Sequence, residues 1–229
     1  MGRLTHIETL LLTGFILLYC VCTYQRNSLW EADLSLWSDV VKKSPMKHRP
    51  YNSLGTAYDK MGMPDEAMSA YKKALAIKPD DAKACYNIGN VYSKKGVLDE
   101  AVSWYKKALA INPDYAKAHY NLGNAYRRKG IVDEAVFRYK RAAAIDPGFS
   151  DACYNLGVIY GEKGMLDDAV CWYTKAIAID PDCRDAHNNL AVVYYMKKEY
   201  KPAIKHCDKA LELGYKVHPK LLRALELYR

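Results

Sequence analysis

A 34-residue repeat constrains the fold more than any other feature of this sequence. From position 48 onward the sequence resembles itself five times, and the copies align without a single insertion. The copies are 48–81, 82–115, 116–149, 150–183 and 184–217. Such regularity predicts units that stack in series, each packing mainly against its neighbours.

Apolar residues recur within each copy at helical spacing. One set falls at repeat positions 4, 7, 8 and 11 and another at positions 20, 24 and 27, which predicts two helices that face each other. Glycine at position 8, as in Gly123, is predicted to oppose alanine at position 20, as in Ala135, so that the helices approach closely. Glycine at position 15 is predicted to end the first helix, and proline at position 32 to stop the second. The fifth copy departs from this pattern, with Ala191 and Lys198 in place of both glycines and Cys207 in place of the aromatic residue.

The stretch YNIGNVYSKKGVLDEAVSWYKKALAINPDY and its sister copies resemble the tetratricopeptide repeat (TPR) family. The resemblance covers residues 48–217 and implies an all-α, right-handed superhelical solenoid. It also implies that the first helices line a concave groove used for binding peptides or proteins. Around the five full repeats we predict a half repeat over 28–47, with its helix over 29–43, and a capping helix over 218–229 that Pro219 opens.

An uncharged, apolar run precedes the half repeat. It lies within residues 9–24, and at ~1.5 Å per residue its length is marginal for a bilayer. No small-residue cleavage site follows the run, which argues against a signal peptide. We therefore predict an N-terminal transmembrane helix within a membrane anchor over residues 1–27, and hence a single-pass membrane protein. The alternative is an apolar helix that caps the repeats.

The junction LLYCVCTYQRNSLWEADLSLWSDVVKKSP is similar to a boundary in transmembrane-and-tetratricopeptide-repeat glycosyltransferases. In that family the repeats lie on the lumenal or extracytoplasmic side, and the resemblance implies the same side here. Arg26, Lys42 and Lys43 weakly favour cytosolic repeats instead, but long domains can translocate largely regardless of charge. We therefore expect extracytoplasmic repeats, with cytosolic repeats as the alternative. The chain has one apolar segment and lacks the catalytic membrane region of that family, so we expect no transferase activity in it.

The distribution of charge and the lack of catalytic motifs argue against two classes of function, nucleic-acid binding and catalysis. The formal net charge of +8 is patchy, with +4 over 116–149 and −4 over 150–183, so no continuous basic face for nucleic acid is expected. No nucleophile, base and orienting residue recur together, and no phosphate-binding loop appears. We expect neither an enzyme nor a bound cofactor.

Position 4 alternates between cysteine and histidine, which invites a metal interpretation. Zinc needs its ligands within ~2.0 to 2.3 Å, whereas neighbouring packed helices lie ~8 to 10 Å apart, so four such residues cannot share one ion. We therefore expect core packing and no metal at this position. The residues are Cys85, His119, Cys153 and His187.

The face of each first helix opposite the core carries positions 2, 5, 6, 9, 12 and 13, and the resemblance makes it the binding groove. An amide both donates and accepts hydrogen bonds, so asparagines repeated along this face can satisfy the backbone of an extended peptide. Basic residues on the first three repeats and acidic ones on the next two suit a ligand with an acidic segment. The alternatives are family scaffolding and a solvated helix face. The predicted groove residues are Asn87, Asn121, Asn155, Asn189, Asn90, Asn124, Lys83, Lys117, Arg127, Arg128, Tyr86, Tyr120 and Tyr154.

These features together predict a membrane-tethered scaffold that binds an extended peptide or a protein partner. Two alternatives stay open. The chain can be the repeat subunit or carboxyl-terminal part of a glycosyltransferase assembly, or it can be an organiser that assembles with copies of itself.

Overall fold

The computed structural model describes Phe15, Tyr19 and residues 32–229. Within this part of the chain all regular structure is helical and no strand occurs, which confirms the predicted all-α class. The chain divides into two compact units, a first unit Met1–Lys95 and a second unit Gly96–Arg229.

The first unit contains four described helical segments. Residues 32–43 are helical (α1), so the helix predicted over 29–43 is present over its described part. Helix α3 packs against both α2 and α4, its neighbours along the chain. The bounds are α2 (His48–Lys60), α3 (Pro64–Ile77) and α4 (Ala82–Lys94).

The second unit contains eight helices, and each packs against the next in chain order. Pro219 opens the last of them as predicted, and Leu225 within it is fully buried. Tyr228 is half-exposed and stacks on Tyr200, with ring centroids 3.5 Å apart. The bounds are α5 (Leu98–Ile111), α6 (Ala116–Arg128), α7 (Val132–Ile145), α8 (Ser150–Glu162), α9 (Leu166–Ile179), α10 (Arg184–Met196), α11 (Tyr200–Glu212) and α12 (Pro219–Glu226).

The core follows the predicted periodicity and extends beyond it. Residues at positions 20, 24 and 27 are at most 3% exposed in all five repeats. Positions 3 and 10, which the sequence pattern did not single out, are buried as well, for example as Ala118 and Ala125. Because a first helix such as α8 packs against both α7 and α9, a wider arc of its surface is buried than one partner would require.

The close approach at position 8 exists, and an aromatic ring is its nearest neighbour. A Cβ atom added at Gly123 would lie 2.8 Å from Cε1 of the Tyr139 ring. Glycine at position 8 therefore makes room for the aromatic ring at position 24, which the sequence analysis did not predict, and the contact with Ala135 stays a prediction. In the fifth repeat Ala191 and Cys207 share one buried cluster, so a larger residue at position 8 accompanies a smaller one at position 24.

The first helices end in a left-handed residue, as the glycine at position 15 predicts. Gly130 has a φ of 75°, which costs glycine little because it has no Cβ atom. Lys198 takes the same place in the fifth repeat with a φ of 62°, and it is the one non-glycine residue of the described chain with a positive φ.

The predicted single-pass membrane localisation is contradicted. Among the described residues no helix is both long and apolar enough to cross a membrane. Helices such as α3 have 14 residues and reach about 21 Å, short of a hydrocarbon core of ~30 Å. The predicted anchor over residues 1–27, with its apolar run at 9–24, lies outside the described residues except for Phe15 and Tyr19.

Candidate functional site

In the second unit the predicted binding face lies on the first helices α6, α8 and α10. Tyrosines at position 5 and asparagines at position 6 are half-buried there. Nδ2 of Asn155 donates to Oη of Tyr120 at 3.3 Å, and Nδ2 of Asn189 donates to Oη of Tyr154 at 3.2 Å. Each of these amides is thus linked to the tyrosine of the preceding repeat.

Asn124 at position 9 extends this network toward the second helices. Its Oδ1 accepts a hydrogen bond from Oη of Tyr139 at 2.6 Å and one from Nδ2 of Asn155 at 3.5 Å. Burial raises the pKa of Tyr139, so its hydroxyl stays protonated and remains a donor. The row of tyrosines and asparagines is therefore held in place by the core behind it.

The first unit carries the remaining predicted groove residues on α4. Tyr86, Asn87 and Asn90 are half-buried, and Lys83 is exposed. Nδ2 of Asn87 is buried and has no hydrogen-bond partner within the described chain. In the second unit Asn121 occupies the matching position 6 of α6 and is half-buried too.

Some of the predicted groove charges pair between neighbouring repeats. In the second unit a guanidinium nitrogen of Arg127 donates to a carboxylate oxygen of Glu162 at 2.9 Å. The neighbouring Lys117 and Arg128 are exposed. Because Glu162 partly neutralises the positive charge of Arg127, this arginine is a weaker candidate for contacting a bound peptide than the sequence pattern indicates.

Ion pairs between successive repeats also recur within each of the two units, and the sequence analysis did not predict them. Lysine at position 14 pairs with aspartate at position 18 of the preceding repeat, and the carboxylates are largely exposed. Met61 and Lys201 replace these residues in the first and fifth repeats. The recurrence of this lysine and this aspartate in four repeats each is the sequence signal that could have predicted the pairs. The pairs are Lys95–Asp65, Lys129–Asp99, Lys163–Asp133 and Lys197–Asp167.

The cysteines and histidines at position 4 belong to the core, as predicted. All four are at most 6% exposed. Nε2 of His119 bonds the carbonyl oxygen of Pro113 at 2.9 Å, and Nε2 of His187 bonds that of Pro181 at 3.1 Å. Among the described residues, no group of three or more His, Cys, Asp and Glu side chains could hold a metal ion.

The first repeat contains a buried polar cluster that the sequence analysis did not anticipate. Oδ2 of Asp81 accepts hydrogen bonds from Nδ1 of His48 and Nδ2 of Asn52, both at 2.6 Å. Its Oδ1 accepts the backbone N–H groups of Lys83 and Ala84, which caps α4. Burial raises the pKa of the Asp81 carboxyl, but the bonds from His48, Ala84 and Asn52 outweigh it, and the pKa falls below its ordinary value.

This cluster forms part of a pocket of about 500 Å³ in the first unit. We call it the Asn52 pocket. The sequence offered one signal for it, since the first repeat alone combines three polar residues at positions 1, 5 and 34. The lining residues are Trp37, His48, Arg49, Pro50, Asn52, Ser53, Asp81 and Lys83.

Family models match most of the repeat region. The model described as a TPR repeat matches residues 94–130, 123–164 and 159–198. A second model, described as the tetratricopeptide repeat, matches residues 48–81 and 185–213. No curated protein matches the chain. The predicted resemblance to glycosyltransferases receives no support from these matches.

Several solved structures are similar to this chain. A MamA crystal structure is 30% identical, with 70% of this chain and 94% of that chain covered and a TM-score of 0.65. YrrB, described as a TPR protein with an unusual peptide-binding site, is 25% identical, with 83% and 97% covered and a TM-score of 0.65. PilF of Pseudomonas aeruginosa is 24% identical, with 78% and 84% covered and a TM-score of 0.71, and it shares the fold.

Proposed function

We propose, from the premise that the chain belongs to the tetratricopeptide repeat family, that this protein-interaction scaffold holds an extended peptide against the exposed face of its first helices. The interaction is assigned to the row of tyrosines and asparagines on α6, α8 and α10. The residues of this row are Tyr120, Asn121, Asn124, Tyr154, Asn155 and Asn189.

The observation that carries the proposal is a polar row that is ordered and still half-exposed. The hydrogen bonds that the asparagine amides donate within the row measure 3.2 to 3.5 Å, longer than the ~2.9 to 3.0 Å common for N–H···O bonds. An amide hydrogen held this loosely can turn to a peptide carbonyl with little loss. Because the side chains are already positioned, a ligand also pays less entropy to order them.

Similarity to YrrB supports the same proposal. That protein is described as having a peptide-binding site, and its alignment with this chain, at 25% identity, covers most of both proteins. The repeat that places the amides on one face is common to the two proteins.

Selection of peptides followed by affinity measurement tests the proposal. Twelve-residue peptides selected from a random phage-displayed library on the wild-type chain are synthesised, and their Kd values are measured by fluorescence anisotropy. The double variant Asn155→Ala/Asn189→Ala removes two amides, each worth ~0.5 to 1.5 kcal/mol net, and we expect about 5- to 150-fold weaker binding. Thr174→Ala on the exposed side of α9 is the matched control and should bind as wild type does.

Two outcomes would count against the proposal. If the double variant melts normally and binds the selected peptides as tightly as wild type, the row is family scaffolding. If no peptide is selected on the folded wild-type chain, peptide binding itself is refuted.

A further inference from the structure

We propose that the Asn52 pocket recognises an acidic residue of the bound peptide. This inference rests on the proposed peptide-binding function and adds a specificity to it. The pocket lies entirely within the first unit, formed by α1, α2 and the start of α4.

An unpaired, buried acceptor indicates what the ligand must offer. Asn52 is 4% exposed, and its Nδ2 donates to Asp81. Since the ionised Asp81 can only accept, the amide cannot be turned around, and Oδ1 is the atom left over. That oxygen is buried and has no hydrogen-bond partner within the described chain. A backbone N–H of a peptide is a donor of suitable size and chemistry for it.

Two cations give the pocket its preference for negative charge. Arg49 and Lys83 line it, both are exposed, and neither forms an ion pair with any described residue. The one carboxylate of the pocket, Asp81, accepts four hydrogen bonds from other groups and offsets part of this positive charge, but the two cations outnumber it. A guanidinium binds a carboxylate through two parallel hydrogen bonds, which fixes its direction as well as its charge.

The apolar part of the wall limits which acidic segment fits. Trp37 and Pro50 contribute nonpolar surface beside the cations. A pocket of about 500 Å³ holds one acidic side chain together with part of an apolar neighbour. We therefore assign an Asp or Glu next to an apolar residue, with the N–H of the acidic residue directed at Asn52.

The third repeat indicates that the fold does not need this polar arrangement. Positions 5 and 34 hold Asn52 and Asp81 in the first repeat but Tyr120 and Phe149 in the third, where the ring centroids lie 4.8 Å apart. In the third repeat an aromatic contact thus stands where the first repeat has a polar one. The first repeat instead keeps a buried carboxylate that caps α4 and a buried amide oxygen of Asn52 that has no partner within the described chain, and helix capping does not account for that oxygen.

Peptide selection on three forms of the full chain tests the inference. The forms are wild type, Arg49→Ala/Lys83→Ala, and Lys72→Ala, whose lysine is exposed on the second helix α3 and lies outside the pocket. We expect wild type and Lys72→Ala to enrich Asp or Glu at one position, and the double variant to lose this enrichment. Changing that Glu to Gln in a selected peptide should weaken binding to wild type about tenfold, equal to ~1.4 kcal/mol, and binding to the double variant little.

The outcomes separate this inference from the function on which it rests. If selected peptides bind but show no acidic preference, or if the Glu-to-Gln penalty survives in Arg49→Ala/Lys83→Ala, the pocket assignment is overturned while peptide binding stands. If no peptide is selected on wild type, the proposed function fails first. Melting curves of the three forms should coincide, because both substituted side chains of the double variant are exposed.

Discussion

In the first repeat, positions 5 and 34 hold Asn52 and Asp81, joined by a 2.6 Å hydrogen bond, whereas in the third repeat they hold Tyr120 and Phe149 in ring contact. Both repeats begin their first helix at position 1 and end it at position 13. The same helical frame therefore accepts a polar or an aromatic pair at this place. The choice between them is free to serve binding, and we propose that it does so at the first repeat.

The middle and the last repeats differ in a second way, in the packing between their two helices. Gly123 and Tyr139 fit together in the third repeat, and Ala191 and Cys207 fill the same positions in the fifth. Here both residues change together, because the space left by one is filled by the other. Coupled exchange of this kind is the mark of a packing constraint between two helices.

The largest expected effect comes from breaking the Gly123–Tyr139 fit. Gly123→Ala places a Cβ atom 2.8 Å from a fully buried ring and should lower the free energy of unfolding by about 2 to 3 kcal/mol. Tyr139→Cys should relieve this clash, so the double variant should lose at least ~1 kcal/mol less than the sum of the single losses. Urea unfolding of the four proteins measures this coupling. Purely additive losses would contradict the packing account.

The next prediction concerns the pH dependence of stability, in which we expect the fifth repeat to differ from the fourth. Positions 4 and 23 hold Cys153 and Trp172 in the fourth repeat, but His187 and His206 in the fifth, with their Nδ1 atoms 2.9 Å apart. Burial, with the charges of His187 and Lys205, lowers the pKa of His206 to about 4. The unfolded chain then binds a proton that the folded chain excludes, so stability is fully present above pH ~6.5 and lost as pH falls toward 4.

We expect the lowered pKa of His206 to reduce the free energy of unfolding by roughly 2 kcal/mol at pH 4 relative to pH 7. His206→Trp installs the residue of the fourth repeat and should remove most of that dependence. Denaturant unfolding across this pH range, on wild type and variant, measures it. An unchanged pH profile in the variant would assign the acid sensitivity to other groups.

A smaller effect should appear at the left-handed residue that ends α10. Lys198→Gly removes the strain of a side chain at a φ of 62° and should raise the free energy of unfolding by about 0.5 to 1 kcal/mol. Gly130→Ala, at the matching position of the third repeat, should lower it by a similar amount. Thermal melting of both variants decides the point, and a loss of stability in Lys198→Gly would show that the lysine side chain has a role of its own.

Much of the fold could be predicted because it depends on contacts inside one repeat. Positions 20, 24 and 27 lie on one face of a helix by spacing alone, and a glycine followed by a short turn indicates where a helix ends. The close contact of Gly123 with Tyr139 was not predicted, because spacing within each helix does not fix how far one helix slides along the other. Tyr139 lies only four residues from Ala135, one turn along the same helix.

The candidate site was less predictable because its contacts join residues of different helices that lie far apart in the sequence. Asn155 bonds Tyr120 across 35 residues, and Asn52 bonds Asp81 across 29. Both depend on the offset between neighbouring helices, which the sequence period leaves open. Sequence pattern placed the asparagines on one face, yet it could not show that their amides bond to the tyrosines of the preceding repeat.

We propose that the polar cluster of the first repeat, unlike the aromatic pair of the third, binds a peptide, and one exchange of residues between the two repeats tests this proposal. Replacing the polar cluster by the third-repeat residues gives His48→Ala/Asn52→Tyr/Asp81→Phe. This variant is titrated with a Glu-containing peptide selected on wild type, and with its Gln counterpart. We predict a folded chain that melts within a few degrees of wild type, binds the Glu peptide about tenfold more weakly, and no longer distinguishes Glu from Gln. Wild-type affinity and discrimination in this folded variant would contradict the claim.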